Sequence, residues 1–204
     1  MLARRTLLKL ALVTPLGASL GALGCTPREL SVPPGAPGKG AKRPKLVIQE
    51  LGDFECPFCA EVQPVLEEVL HHYGEQVKLV WRDYPLTRIH PHAMGAAEAA
   101  REVRAQLGEA GFWRFHRVLF ARQGALARPQ LETYAEGLGG VDLDRFRTAM
   151  KQEAHRPAIL REMAEVDSLG IDRVGTPGFF IGEDVLFGAH PFATFRDLIQ
   201  PHLS

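Results

Sequence analysis

The fold turns on one stretch, LGDFECPFCAEVQPVLEEVL, Leu51 to Leu70, in which Cys56 and Cys59 stand two residues apart where an apolar strand gives way to a helix. Upstream, Leu46, Val47 and Ile48 form a short apolar run with the texture of a buried strand. Downstream, Pro57 suits a first helical turn, where a missing N–H costs nothing. Val62, Val65, Leu66, Val69 and Leu70 then recur at helical spacing as far as Gly74, a stop signal. The cysteine pair therefore falls at a helix N-terminus, and three readings compete for it: half a metal clip, a structural disulfide, or a working redox pair.

A structural zinc site requires four ligands, of which the pair supplies two. The nearest candidates for the others are His90 and His92 in RIHPHA, but there is no second CxxC or HxxxH half-site, and these histidines read as caps or packing residues, so no metal is expected. A disulfide across CxxC closes a very short loop and removes little unfolded-state entropy, which makes it an inefficient staple. The helix start favours chemistry. Unpaired backbone N–H groups and the helix dipole stabilise a thiolate at Cys56, while Cys59, one turn further in, is placed to attack a mixed disulfide formed there. Two soft thiolates also suit Cu(I), so a metallochaperone is the alternative from another chemical class.

Working outward, VKLVW, Val77 to Trp81, reads as a second strand, and from about Ile89 to Leu169 the texture is helical. Segments 93–106, 112–123, 130–138 and 144–169 are expected as helices, with Pro157 breaking the last and Phe112, Trp113 and Phe115 in the core of the block. GTPGFFIGEDVLFGAHP then gives two apolar runs, Phe179 to Ile181 and Val185 to Phe187, split by Gly-Glu-Asp in the manner of a hairpin, and Phe192 to Leu203 closes the chain as a helix. The expected fold class is α/β, a sheet with a helical insertion between its second and third strands.

At 204 residues and 46% hydrophobic content the chain suits one globular domain with a real core. Lys+Arg and Asp+Glu are both 24, so there is no basic footprint and nucleic acid is excluded as a partner. Residues 1–25 carry Arg4, Arg5 and Lys9 ahead of an uncharged apolar run, the layout of an export signal, and ARRTLLK resembles a twin-arginine start. Cys25, in LGALGC, resembles the lipidated cysteine of a bacterial lipoprotein site, although Ala22 stands where Leu is usual. Residues 26–44, rich in Pro and Gly, are expected as an extended, mobile tether, leaving 45–204 as the folded domain. The expected location is periplasmic or cell-envelope, with membrane attachment only through the N-terminal lipid.

CPFC after a strand, the helical insertion and GTPGFF ahead of the last two strands together resemble the thioredoxin fold in its DsbA-like form, the extracytoplasmic thiol:disulfide oxidoreductases, over Lys45 to Ser204. The resemblance implies that Cys56 is the attacking, substrate-linked thiol and Cys59 the resolving one. Thr176-Pro177 would be the loop whose proline follows a cis bond and lies against the cysteines, with the backbone of Thr176 free to pair with an extended substrate. Pro57 and Phe58 would meet the substrate, Phe54 and Phe58 forming an apolar docking surface. Glu50, six residues before Cys56, would be the buried acid beneath Cys59 that takes its proton. The chain departs from strongly oxidising members in carrying Phe58 where they carry His, so an imidazolium is missing and a milder oxidant is implied. The expected activity is an oxidase exchanging disulfides with exported proteins, with no bound cofactor besides the Cys56–Cys59 pair and an unidentified redox partner to reset it. A reductase of the same fold is the alternative, and a non-catalytic peptide-binding module a further one; an isomerase is disfavoured because residues 26–44 are too short for a dimerisation domain.

Overall fold

In the computed structural model residues 30–203 are described; the expected export segment 1–25 and Cys25 lie outside them. The elements are β1 (Gly38–Gly40), β2 (Leu46–Gly52), α1 (Pro57–Tyr73), β3 (Val77–Asp83), α2 (Ala93–Ala121), α3 (Arg128–Gly137), α4 (Leu143–Lys151), α5 (Arg156–Asp167), β4 (Gly178–Ile181), β5 (Asp184–Phe187) and α6 (Phe192–Leu203). The strands form one sheet in the order β1-β3-β2-β4-β5, with β2 and β3 parallel and the other pairings antiparallel. The helical insertion, α2 to α5, lies between β3 and β4, the second and third of the strands expected from the sequence.

β2 and β3 are central and covered on both faces, which is why they read as continuous apolar runs rather than alternating ones. Strand parity divides β2. Leu46 and Ile48 pack with Val62, Leu66 and Val69 of α1 and Phe195 and Ile199 of α6, and Glu50 shares their face. Leu51 points the other way, towards Leu30, Phe180 and Val166. A separate core inside the insertion gathers Phe112, Trp113, Phe115, Leu119 and Phe146 and reaches the sheet through Phe54 and Trp81.

The expected mobile tether is corrected from Leu30 onward. Leu30 and Ala41 are buried, and Gly38 to Gly40 pair with Lys78 to Val80 as the edge strand β1. Pairing at a sheet edge requires only backbone donors and acceptors, so it leaves no apolar periodicity to read. Gly40 has φ +102°, and a Cβ there would come within 2.5 Å of the Val77 carbonyl, so the close approach of β1 requires glycine. The guanidinium of Arg82, fully buried under this segment, donates to Ser31 O at 2.8 Å, Gln49 Oε1 at 2.9 Å and Glu165 Oε2 at 2.8 Å. Two helix boundaries also differ. The first two expected helices run together as α2, bent at Gly108 (φ 69°), and the break expected at Pro157 falls just ahead of it, between Lys151 and Arg156, so that Pro157 lies in the first turn of α5, where its missing N–H is harmless.

Candidate active site

β2 ends at Gly52, and a Cβ there would fall 2.0 Å from the Trp81 ring, so glycine lets the indole lie across the strand end. Asp53 then turns the chain. Its Oδ1 accepts the Glu55 N–H at 2.8 Å, and its Oδ2 accepts the Leu86 N–H and meets His90 Nδ1, both at 2.8 Å. His90 is thereby held by Asp53, and among the described residues no three His, Cys, Asp or Glu side chains are grouped to hold a metal ion. Cys56 is the N-cap of α1, with extended backbone (φ −74°, ψ 120°) and Pro57 next to it.

Cys56 and Cys59 are unbridged and buried. The Thr176-Pro177 bond is cis, as expected, and sets the Thr176 carbonyl 3.3 Å from Cys56 Sγ. The Cys56 thiol is lowered from 9.0 to about 6, chiefly by the hydrogen bond from Cys59. Burial opposes this, and the backbone N–H groups of Cys59 and Phe58 reinforce it. Burial pushes the Cys59 thiol well above the usual range, and its hydrogen bond to Cys56 raises it further. One helix turn thus separates a thiolate from a thiol that holds its proton.

Glu50 is fully buried, and burial raises its carboxyl from 4.5 to about 7, against the Gln63 hydrogen bond and the Lys39 charge. Its field adds to the rise at Cys59. Pro57 and Phe58 sit on the exposed rim of the site, Phe58 at 57% accessibility. Phe54 corrects the expected docking surface. It is completely buried and stacked on Trp81, with ring centroids 4.7 Å apart, as part of the insertion core. Among the described residues, Phe58 is the one exposed aromatic beside the cysteines.

Two residues of the site were not anticipated. Gln63 lies four residues after Cys59, and its Nε2 donates to Glu50 Oε1 at 2.9 Å and to the Cys59 carbonyl at 3.0 Å. Helical i, i+4 spacing was the signal that placed it on the cysteine face. Gln123, just past α2, donates to the carbonyls of Phe54 at 2.9 Å and Cys56 at 2.8 Å. At a sequence separation of 67 from Cys56, it carries no local pattern that marks it. A cleft of about 540 Å³ lined by Leu30, Lys45, Phe180 and His202 contains none of these site residues.

Comparison with known proteins agrees with this geometry. The Thioredoxin family model matches residues 35–201. Among curated relatives, a Na(+)/H(+) antiporter NhaA 1 of Salinispora arenicola is 40% identical over 144 residues, 70% of this chain and 21% of that protein. An NhaA 3 of Salinispora tropica is 41% identical over 144 residues. The chain spans about a fifth of the length of these relatives. Among solved structures, BdbD from Bacillus subtilis superimposes with a TM-score of 0.73 at 19% identity, covering 83% of this chain and 94% of that one. The thiol-disulfide exchange protein alpha-DsbA2 from Wolbachia pipientis gives 0.70 at 22%, covering 83% and 87%. The catalytic domain of Proteus mirabilis ScsC gives 0.66 at 24%, covering 86% and 93%. The family match takes in all five strands and the cysteine helix, and the chain belongs to the thioredoxin family, built in the DsbA-like form with its helices inserted between β3 and β4.

Proposed function

We propose that the chain is an exported protein thiol:disulfide oxidoreductase that works through Cys56 and Cys59, as an oxidase of mild potential. The observation that carries the reading is the asymmetry of the pair: a Cys56 thiol near 6 at a helix N-terminus, facing the cis Thr176-Pro177 loop, beside a buried Cys59 that keeps its proton. In the oxidising direction a substrate thiolate attacks Cys56 Sγ of the disulfide, the Cys56–Cys59 bond breaks, and Cys59 leaves as a thiolate that takes a proton from Glu50. A second substrate thiolate then attacks the substrate sulfur, forming the substrate disulfide and releasing Cys56 as a thiolate. The substrate loses two electrons and the pair gains them. Phe58 and the Thr176 backbone offer an apolar contact and an extended pairing edge for the substrate chain. Export and a lipid anchor at Cys25 belong to the same reading and rest on the sequence of residues 1–25. The chain spans only about a fifth of the antiporters, so ion transport forms no part of the proposal.

A thiolate stabilises the reduced pair and so makes the disulfide more oxidising. Lowering Cys56 from 9.0 to about 6 leaves it about nine-tenths ionised at pH 7. That is worth about 1.4 kcal/mol, or ~30 mV for a two-electron couple. The range between thioredoxin and the strongest oxidants of this type is on the order of 150 mV, so the thiolate alone covers a modest part of it. This favours a mild oxidant and keeps the reductase as the second reading.

Equilibration of the protein with glutathione buffers, with the dithiol fraction read by alkylation and mass, tests the direction. A potential modestly above that of thioredoxin, about −270 mV, is expected; a value at that level makes the chain a reductase. Cys59→Ser separates either from a Cu(I) carrier, since a redox enzyme then accumulates mixed disulfides at Cys56, whereas a metallochaperone loses metal and traps nothing.

A further inference from the structure

A carboxylate can accept a proton only at an oxygen free to meet it, and the two oxygens of Glu50 are not equivalent. Oε1 is occupied by Gln63 Nε2 at 2.9 Å, whereas Oε2, fully buried, has no hydrogen-bond partner among the described residues. The same Gln63 nitrogen donates to the Cys59 carbonyl at 3.0 Å. Both hydrogens of one amide group are thus committed, one to the acid and one to the backbone of the residue whose thiol the acid serves. The anchor is built into α1. Pro64 follows Gln63 and has no N–H for the Ala60 carbonyl, and the Gln63 side chain forms part of the wall of a cleft of about 350 Å³ shared by Ala60, Pro64, Glu67 and Phe120.

Resting on the proton-transfer role proposed for Glu50, we infer that Gln63 is the positioning residue of that step: by holding Oε1 and the Cys59 carbonyl together, it dedicates Oε2 to proton exchange with Cys59 Sγ. In the reducing direction Oε2 takes the Cys59 proton. The thiolate then attacks Cys56 Sγ of the mixed disulfide, the Cys56–Cys59 bond forms, and the bond to the substrate sulfur breaks. The substrate leaves as a thiolate that is protonated from water, so two electrons pass from the pair to the substrate. In the oxidising direction the same proton returns from Oε2 to the Cys59 thiolate. The other charges acting on Glu50 are Lys39 from β1, Glu67 from α1 and the cysteines themselves, while its register partners on β3 and β4, Trp81 and Phe179, carry no charge. Substitution at position 63 leaves all of these in place.

The test uses Gln63→Met and Gln63→Leu, which keep bulk and remove the donor. The Glu50 carboxyl is titrated by difference infrared spectroscopy, and the decay of the Cys56 mixed disulfide is followed after rapid mixing of reduced protein with a peptide disulfide. The Gln63 hydrogen bond holds the carboxyl down, so both midpoints, spectral and kinetic, should move up together by about one pH unit, with resolution ~10-fold slower on the acid limb. Unmoved midpoints in whichever variant folds, or a carboxyl that shifts while the rate profile stays, overturn the role of Gln63. Glu50→Gln is the separate control. If it flattens the kinetic profile while the position 63 variants do nothing, the acid stands and the inference about Gln63 falls. If its profile matches the parent, the Glu50 reading falls and this inference with it.

Discussion

Single residues set the chemistry, and the most consequential is a carboxyl placed where water cannot solvate it. The Glu50 group is raised from 4.5 to about 7 in the folded protein, so its contribution to stability is fully present below 4.5 and is lost as pH rises through about 7. Removing the charge should remove that loss. Glu50→Gln is expected to match the parent near pH 4 and to exceed it by about 3 kcal/mol above pH 8, read from guanidinium unfolding of the reduced proteins at both pH values. A smaller difference at pH 8 than at pH 4 would contradict the assignment. At this scale much of the candidate site was legible: two cysteines at a helix start, a Thr-Pro pair before a strand and an acid six residues upstream all have chemical signatures in the chain itself. Phe54 was misread because burial depends on what lies opposite, and Trp81 across Gly52 is 27 residues away in sequence.

Elements connect these residues to the rest of the molecule through a few long-range contacts. Gln123 is the clearest, because its amide ties the end of α2 to the two carbonyls that lead into the cysteine helix. The Cys56 carbonyl keeps the Cys59 and Ala60 N–H groups, but the Phe54 carbonyl would lose its Gln123 donor, which costs about 1–3 kcal/mol. Gln123→Leu should therefore lower stability by that amount and loosen the turn before Cys56, seen as faster exchange of the Glu55 and Cys56 amides. Unchanged exchange would show the tie to be incidental. The element order was readable from period and punctuation, because central strands covered on both faces leave apolar runs and amphipathic helices leave stripes. The Gln123 tie was not, since one glutamine reaching a backbone carbonyl leaves no trace of either kind. The merging of two expected helices across Gly108 has a similar cause: glycine permits φ near 69° there, and tertiary packing decides whether the chain stops or bends.

The whole molecule begins further upstream than its composition implies. The segment from Leu30 to Ala41 closes one edge of the sheet and supplies the carbonyl of Ser31 to the buried guanidinium of Arg82, whose other partners come from β2 and α5. A chain started at Lys45 would leave the β3 edge bare and that cation short of an acceptor. Such a truncation is expected to be less stable by several kcal/mol and to associate through the exposed edge, as thermal unfolding and light scattering would report. Equal melting temperatures for residues 30–204 and 45–204 would show the segment to be merely resting on the surface.

The insertion core holds His116 buried, its Nε2 without a hydrogen-bond partner among the described residues and its basicity well below the usual range because burial penalises the cation. The chain has two tryptophans, and both lie against this ring, Trp81 at 4.8 Å and Trp113 at 4.9 Å between centroids. An imidazolium quenches a neighbouring indole by accepting an electron from its excited state, whereas the neutral ring does so far less. The ultraviolet emission of this protein is therefore an optical gauge of the groups around these two indoles, His116 between them and Asp83 on the Trp81 N–H, and its dimming on acidification will mark protons reaching them.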